Sequence, residues 1–412
     1  MELKDRDPKT PDHTSPGVRL AEWISATSVS APPAVRGKIR FVPPLPPLFR
    51  RGVRPPGIPW SWPTVRVPSS LRGQARSVTD ESAQQAALET DPLRTFGARF
   101  PAASAWTTRK IWRVRVPMLP RWLRATAHAR ATGRTSPGRA AVSFGPDELT
   151  RRLRADAAEL GISAIGVTHH DPRYSIPAFD PSESGGTIVV CLLEQPWEAT
   201  QQIPSVRAEI GALSTYTAAI ELTCRLAERL HDYGYHATAH DNAGPHLVIP
   251  YAVEAGLGQL GLNGQLLTPV AGSRCRVVCL STSAPLVEDE PVDYGVPAVC
   301  DACQGCVERC PSGAIPNHRQ LHRGVEKAKI NTKRCLPVVA KAEGCAVCMK
   351  VCPVQRYGLQ PVLDHLDATG EVLGRHTAEL EEYEWPLTGE RIAVGERPRL
   401  RREFFAIPGG EL

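Results

Sequence analysis

The sequence predicts an α/β sandwich joined to a cysteine-rich unit, and three observations carry that reading. Helical and strand periodicities alternate between residues 146 and 280, and eight cysteines between residues 300 and 352 use one spacing twice. The first 140 residues are basic, proline-rich and free of cysteine. A chain of 412 residues is long enough for two or three domains. No stretch approaches the ~20 uninterrupted apolar residues of a membrane-spanning helix. Met1 to Asp7 has no hydrophobic signal region, so a cytoplasmic location is expected. There the 12 cysteines serve as thiols or metal ligands rather than disulfides.

The net charge of +6 hides a division. Residues 1–140 hold 24 Lys and Arg against 9 Asp and Glu, and the remainder holds 25 against 34. The basic part also carries 19 of the 39 prolines and six of the eight tryptophans. Runs such as residues 43–47 and 54–59 cannot sustain a helix or an inner strand, because proline lacks the amide donor and fixes φ. Residues 1–140 are therefore expected to be a disordered N-terminal extension. Arg109 to Arg139, with Trp112 and Trp122 interleaved, leaves two other readings open. One is a surface for nucleic acid or anionic membrane. The other is translated GC-rich DNA lying upstream of a true start near residue 140.

Order is expected from residue 141 onward. Pro146, Asp147 and Glu148 open a helix, with proline where its missing amide costs nothing and acids at the positive end of the dipole. Leu149, Leu153, Ala157 and Leu160 keep helical spacing, and Gly161 ends the run. Ile162 to Val167 reads as a short strand and Thr187 to Leu193 as a buried one. Ala208 to Tyr233 is a long amphipathic helix closed by Gly234; Tyr235 to Ala239 and Arg276 to Leu280 are further extended segments. Helices alternating with single buried strands give a sandwich over residues 141–290.

Gly256, Gly258 and Gly261 match the dinucleotide fingerprint literally. The fingerprint needs a strand before it and an acid about 20 residues later. Here Pro250 to Ala255 reads as helix and no suitable acid follows. The three glycines are left as either a tight turn or a loop facing a cofactor.

Cys300, Cys303, Cys306 and Cys310-Pro311 carry the spacing that wraps an iron–sulfur cube with three thiolates and sends the fourth to a second cluster. Cys335, Cys345, Cys348 and Cys352-Pro353 repeat it with the first ligand displaced upstream. The crossing rule assigns Cys300, Cys303, Cys306 and Cys352 to one 4Fe-4S cluster and Cys310, Cys335, Cys345 and Cys348 to the other. Residues 291–358 are thus read as a ferredoxin-like two-cluster domain. Cys191, Cys224, Cys275 and Cys279 remain as small buried hydrophobes. Two functions compete: a reductase with a catalytic cofactor in the α/β domain, or a non-catalytic electron carrier.

The ordered series Tyr251 to Gly261, Leu267-Thr268-Pro269, Gly272 to Arg276, Ala284-Pro285-Leu286 and Asp293 to Val296, running into the first cysteine motif, resembles the corrinoid-dependent reductive dehalogenases. Epoxyqueuosine reductases share this architecture. The resemblance covers about residues 146 to 358 and implies a nitroreductase-like, cobalamin-binding α/β domain that receives electrons through the clusters. It also implies a tyrosine proton donor aided by an asparagine and a basic residue. Matching segments assign these to Tyr216, Asn242 and Arg274, with Arg276 as the neighbouring option, and bring Gly256, Gly258 and Gly261 to the cofactor. From the residues alone, Tyr216 could equally be core, Asn242 a turn residue and Arg274 a surface charge. His169 and His170 are further candidates to approach cobalt.

Departures from the family shape the remaining expectations. Arg50-Arg51 is not followed by the apolar run of an export signal. No fused flavin module is evident, so an external ferredoxin or flavodoxin is expected to supply electrons to a small-molecule substrate. Residues 359–412, with acidic Glu379 to Glu384 and basic Arg397 to Arg402, are expected to be a solvated or wrapping tail without room for tRNA-binding helical repeats. Nucleic acid is therefore not the expected partner.

Overall fold

Strand alternation explains how the sheet acquires two buried faces. The computed structural model describes residues 109–137, 144–171, 174, 185–241, 246, 248–322 and 325–405. Its N-terminal elements are α1 (Arg109–Thr132), α2 (Pro146–Leu160), β1 (Ala164–His169), β2 (Thr187–Glu194), α3 (Trp197–Gln201), α4 (Val206–Asp232), β3 (Ala237–His240) and α5 (Val248–Glu254). A two-stranded ladder, β4 (Gln259–Leu260) with β5 (Leu266–Leu267), precedes β6 (Cys275–Thr282). The main sheet has the order β1-β2-β6-β3, antiparallel throughout. Val189, Cys191, Val278 and Leu280 face a core built with α2 and α4. Ile188, Val190, Leu192, Val277 and Cys279 face the opposite core against α5. Both faces are covered, so the strands read as continuous apolar runs, as parallel strands commonly do.

The helices keep the boundaries that the sequence predicts to within two residues. Gly161 closes α2 at φ 84°. Ser205 caps α4, its Oγ accepting from the Ala208 amide at 3.2 Å. The four leftover cysteines are buried, as expected.

One boundary is corrected. Residues 1–108 lie outside the described residues, but Arg109–Thr132 of the expected disordered extension is a 24-residue helix. Its basic composition hides an apolar stripe: Val114 and Met118 are buried against Val206 and Ile210, and Ala125 and Ala129 are buried in the main core, on which Trp122 packs. Three of its basic residues are paired along the parallel helix α4. Arg115 Nε bonds Glu209 at 3.1 Å, Arg121 is bidentate on Glu221 at 2.9 and 2.6 Å, and His128 meets Glu228 at 2.8 Å. These pairs turn part of a charge pattern that suggested a surface for polyanions into a half-exposed seam between two helices. Thr132 Oγ1 accepts from the Ala239 amide at 2.9 Å and so covers the open edge of β3.

The cysteine region contains α6 (Val296–Cys303), α7 (Gly305–Glu308), the β7 (Gln320–His322) and β8 (Val325–Lys327) hairpin, α8 (Thr332–Lys341), α9 (Val347–Lys350) and α10 (Pro353–Tyr357). It continues without a break into α11 (Leu359–Thr369), α12 (Ala378–Glu381), and the hairpin β9 (Tyr383–Trp385) with β10 (Glu390–Ile392). Of the two readings of the tail, the solvated one is corrected, and the packing is that of the wrapping one. Leu359 and Val362 share a core with Cys300, Cys303 and Cys352, whereas Tyr383, Trp385 and Ile392 pack with Cys345. Glu381, in the acidic run, is fully buried. Among the described residues no helix is long and apolar enough to cross a membrane.

Placing a carboxylate on the buried stripe of α1 tests that correction. Met118→Asp is expected to lower the free energy of unfolding by more than about 2 kcal/mol. Arg124→Ala, on the exposed side, should change it by less than about 0.5 kcal/mol in the same denaturant titration.

Candidate functional site

Each cysteine loop is bent by a non-glycine residue in the left-handed region. Gln304 (φ 51°) sits between Cys303 and Cys306, and Ala346 (φ 57°) between Cys345 and Cys348. A four-residue helix follows each, α7 and α9, and then Cys310-Pro311 or Cys352-Pro353. The repetition of an unfavourable backbone angle at equivalent positions marks a geometry that the site demands.

The thiols fall into two interleaved groups. Cys300, Cys303, Cys306 and Cys352 line one small cavity together with Leu262 and Asn263. Cys310 sits with Cys335 and Cys348, and it interacts electrostatically with Cys345. Backbone amides point at the sulfurs: Leu262 at Cys300, Gly305 at Cys303, Ala346 and Val347 at Cys345, Val354 and Gln355 at Cys352. The Ala314 amide donates to Cys310 Sγ at 3.3 Å. Burial, reinforced by neighbouring thiols, pushes Cys335 up to about 11 and Cys345 and Cys352 up to about 12. The same causes push Cys306 and Cys348 well above the usual thiol range. Two sets of four soft sulfur donors with amides aimed at them fit two iron–sulfur clusters, whose cations offset buried thiolate charge. Among the described residues, no three His, Cys, Asp or Glu side chains close around a single metal ion.

The second part of the site lies where β2 and β6 meet α4. Alternation along β6 puts Cys275, Val277 and Cys279 on the α5 side, so Arg276 shares the α4 side with Val278 and Leu280. Its guanidinium stands 4.8 Å from the Tyr216 ring centroid, and its Nη1 donates to Cys275 O at 2.9 Å. Arg274 is held elsewhere. It pairs with the Glu194 carboxylate and donates to Gln195 O and Gln355 O, each at 3.2 Å. Of the two basic residues considered from the sequence, Arg276 is the one brought to Tyr216. Asn242 lies outside the described residues. The nearby ends of β2 and β6 carry buried polar atoms without a partner among the described residues: Gln195 Oε1, Trp197 Nε1, Ser273 Oγ and Arg276 Nε. Such atoms fit a polar, bulky group binding at this end of the sheet.

The three glycines are accounted for by close packing of the chain on itself. A Cβ at Gly258 would lie 2.3 Å from Leu267 O, and one at Gly256, itself at φ 64°, 2.5 Å from Glu290 O. At Gly261 it would meet Asn263 and Leu267 at 2.9 Å. This tight ladder carries Leu262 and Asn263 to the first thiol cavity, a role that the fingerprint search missed. The spacing to Cys300 gave no signal for it. Gln355, just past Cys352, packs on Gly272, so the segment that follows the first thiol group lies against the turn before β6.

The candidate histidines separate. His169 pairs with Glu288 at the surface, at 3.3 Å. The His170 ring instead meets His246 (centroids 5.7 Å), which meets His240 (4.5 Å) and Tyr251 (5.8 Å). Burial, aided by mutual repulsion, pushes His240 down to about 3 and His246 down to about 2.

No protein-family model matches the chain. Over 225 residues, half of this chain, it is 29% identical to a tetrachloroethene reductive dehalogenase of Dehalobacter restrictus. Over 137 residues it is 31% identical to an epoxyqueuosine reductase of a Synechococcus species. Its homologues are reductive dehalogenases and epoxyqueuosine reductases. Both are oxidoreductases. The chain spans 40% and 39% of the length of these two relatives. A reductive dehalogenase structure, described as suggesting a mechanism for B12-dependent dehalogenation, superposes with a TM-score of 0.55. That match has 20% identity and covers 87% of this chain and 51% of the other, which shows a shared fold.

The histidine group generates a pH prediction. Both folded values lie below the ordinary 6.5, so the unfolded chain takes up protons that the folded chain refuses. Stability is then full above pH ~6.5 and falls between there and pH ~3, by up to about 1.4 kcal/mol per pH unit for each histidine. Denaturant titrations from pH 7.5 to 5 should show this decline, with a shallower slope in His240→Gln.

Proposed function

We propose that the chain is an iron–sulfur, cobalamin-dependent reductase of the reductive dehalogenase kind that cleaves a carbon–halogen bond in a small organic substrate. The observation that carries this reading is the interleaving of eight cysteines into two groups of four, one of them followed by Gln355, which packs on the turn before β6. Cys300, Cys303, Cys306 and Cys352 would hold one 4Fe-4S cluster, and Cys310, Cys335, Cys345 and Cys348 the other. A corrinoid would occupy the end of the sheet near Gln195, Trp197, Ser273 and Arg276. When bound, these groups supply single electrons and a strongly reducing centre.

The chain's own residues supply position and protons. Tyr216 gives a proton from its hydroxyl to the carbon that loses the halogen, with Asn242 as its expected helper. The Arg276 guanidinium over the ring stabilises the negative oxygen left behind. Arg274 acts by holding the loop after Cys352 against the sheet, through Glu194 and Gln355 O. Electrons come from an external ferredoxin or flavodoxin, and the enzyme works in the cytoplasm. The second reading, epoxyqueuosine reduction, is supported by the relatives of that name. A bare electron carrier has no use for the Tyr216–Arg276 pair and is the weakest of the three.

Anaerobic reconstitution with iron, sulfide and cobalamin tests the cofactor content, with about eight irons and one cobalt per chain expected. An absence of cobalt uptake would remove the reductase reading. Tyr216→Phe is expected to lower turnover of organohalides about 10²- to 10⁴-fold while both cofactors stay bound. Cys310→Ser should abolish the paramagnetic signal of the cluster shared with Cys335, Cys345 and Cys348. Loss of the other signal would reject the crossed ligation.

A further inference from the structure

Arg309, between Cys306 and Cys310, has a side chain with no exposed surface. Its Nη2 donates to the backbone carbonyls of Glu381, at 3.1 Å, and Ala393, at 2.6 Å. Those residues flank β9 and β10 at their open end, so one guanidinium grips both strands of the C-terminal hairpin. The fully buried Glu381 carboxylate completes the grip. It lies 3.8 Å from Arg309 Nε, accepts the His376 amide at 2.9 Å and pairs with Arg375. Arg375 Nε in turn donates to Cys303 O at 2.8 Å. The hairpin is thus fixed to the first cysteine loop from both sides.

What the grip presents is Tyr383, opposite Ile392 in the ladder. Its ring is buried with Cys345, Val347 and Val351. Its hydroxyl is buried and has no hydrogen-bond partner among the described residues, and it lies within electrostatic reach of Cys345 and Cys310. A buried hydroxyl calls for an acceptor, and the sulfur-rich site beside it is where one would be found.

We infer that Tyr383 donates its hydroxyl hydrogen bond to a sulfur of the cluster held by Cys310, Cys335, Cys345 and Cys348, and thereby raises that cluster's reduction potential. A donated hydrogen bond favours the more negative, reduced form, and hydrogen bonds to sulfur are among the levers that set such potentials. Tyr383 is a tuning residue, and Arg309 positions it through the hairpin. The inference rests on the two-cluster reading above.

The test is a redox titration of the fully reconstituted chain followed by electron paramagnetic resonance, with iron and sulfide measured on each sample. Tyr383→Phe is expected to keep its iron and to shift the second cluster negative by a tenfold change in its one-electron equilibrium, about 59 mV. The first cluster should stay in place. Tyr383→Met, apolar and without a hydroxyl, should reproduce the shift. Trp385→Phe, in the same strand and core, should not. An unchanged potential in loaded Tyr383→Phe overturns the inference alone, as does an equal shift in Trp385→Phe, which would assign the effect to packing. Failure of the unsubstituted chain to take up two clusters overturns both the inference and the reading beneath it.

Discussion

The last cysteine of each motif leaves its own group and joins the other, and the arrangement around it follows from that exchange. Cys352 lines the cavity of Cys300, Cys303 and Cys306, while Cys310 sits with the second set. For both exchanges to occur at once, α7 and α9 must lie side by side, and each loop must turn through a left-handed residue. The segment after Cys352 is then pressed against the turn before β6, where Gly272 leaves room for Gln355. The sheet and the thiol region are consequently one packed body, with Arg274 bonded across the seam.

Much of this was legible in the sequence because it rests on short-range chemistry. Cysteine spacing, the Pro146 helix start and the apolar runs of β2 and β6 each state their structure locally. What was illegible depends on partners far along the chain. Arg115 and Arg121 read as exposed charge until Glu209 and Glu221, about 100 residues on, are brought beside them. Glu381 read as part of a solvated acidic run, yet it is enclosed by Arg309 and Arg375. A buried carboxylate is tolerated only in such company.

Two ambiguities depended on more than spacing. The choice between Arg274 and Arg276 was not available in the period-2 pattern, because residues two apart share a face; it is made by Glu194, Gln195 and Gln355, which hold Arg274 away from Tyr216. The glycine fingerprint carries a similar lesson. Its spacing matched a nucleotide motif, but the physical need it meets is the approach of one backbone to another at 2.3 Å from a would-be Cβ.

The grip of Arg309 on Glu381 and Ala393 has a consequence for the order in which the molecule is completed. The thiols of the first motif leave the ribosome some 70 to 90 residues before the hairpin that covers their loop. During that interval the Arg309 guanidinium lacks the two carbonyls and the carboxylate that enclose it in the folded chain. The burial of this cation is therefore among the last events of folding that synthesis permits, and until then it needs water as its partner.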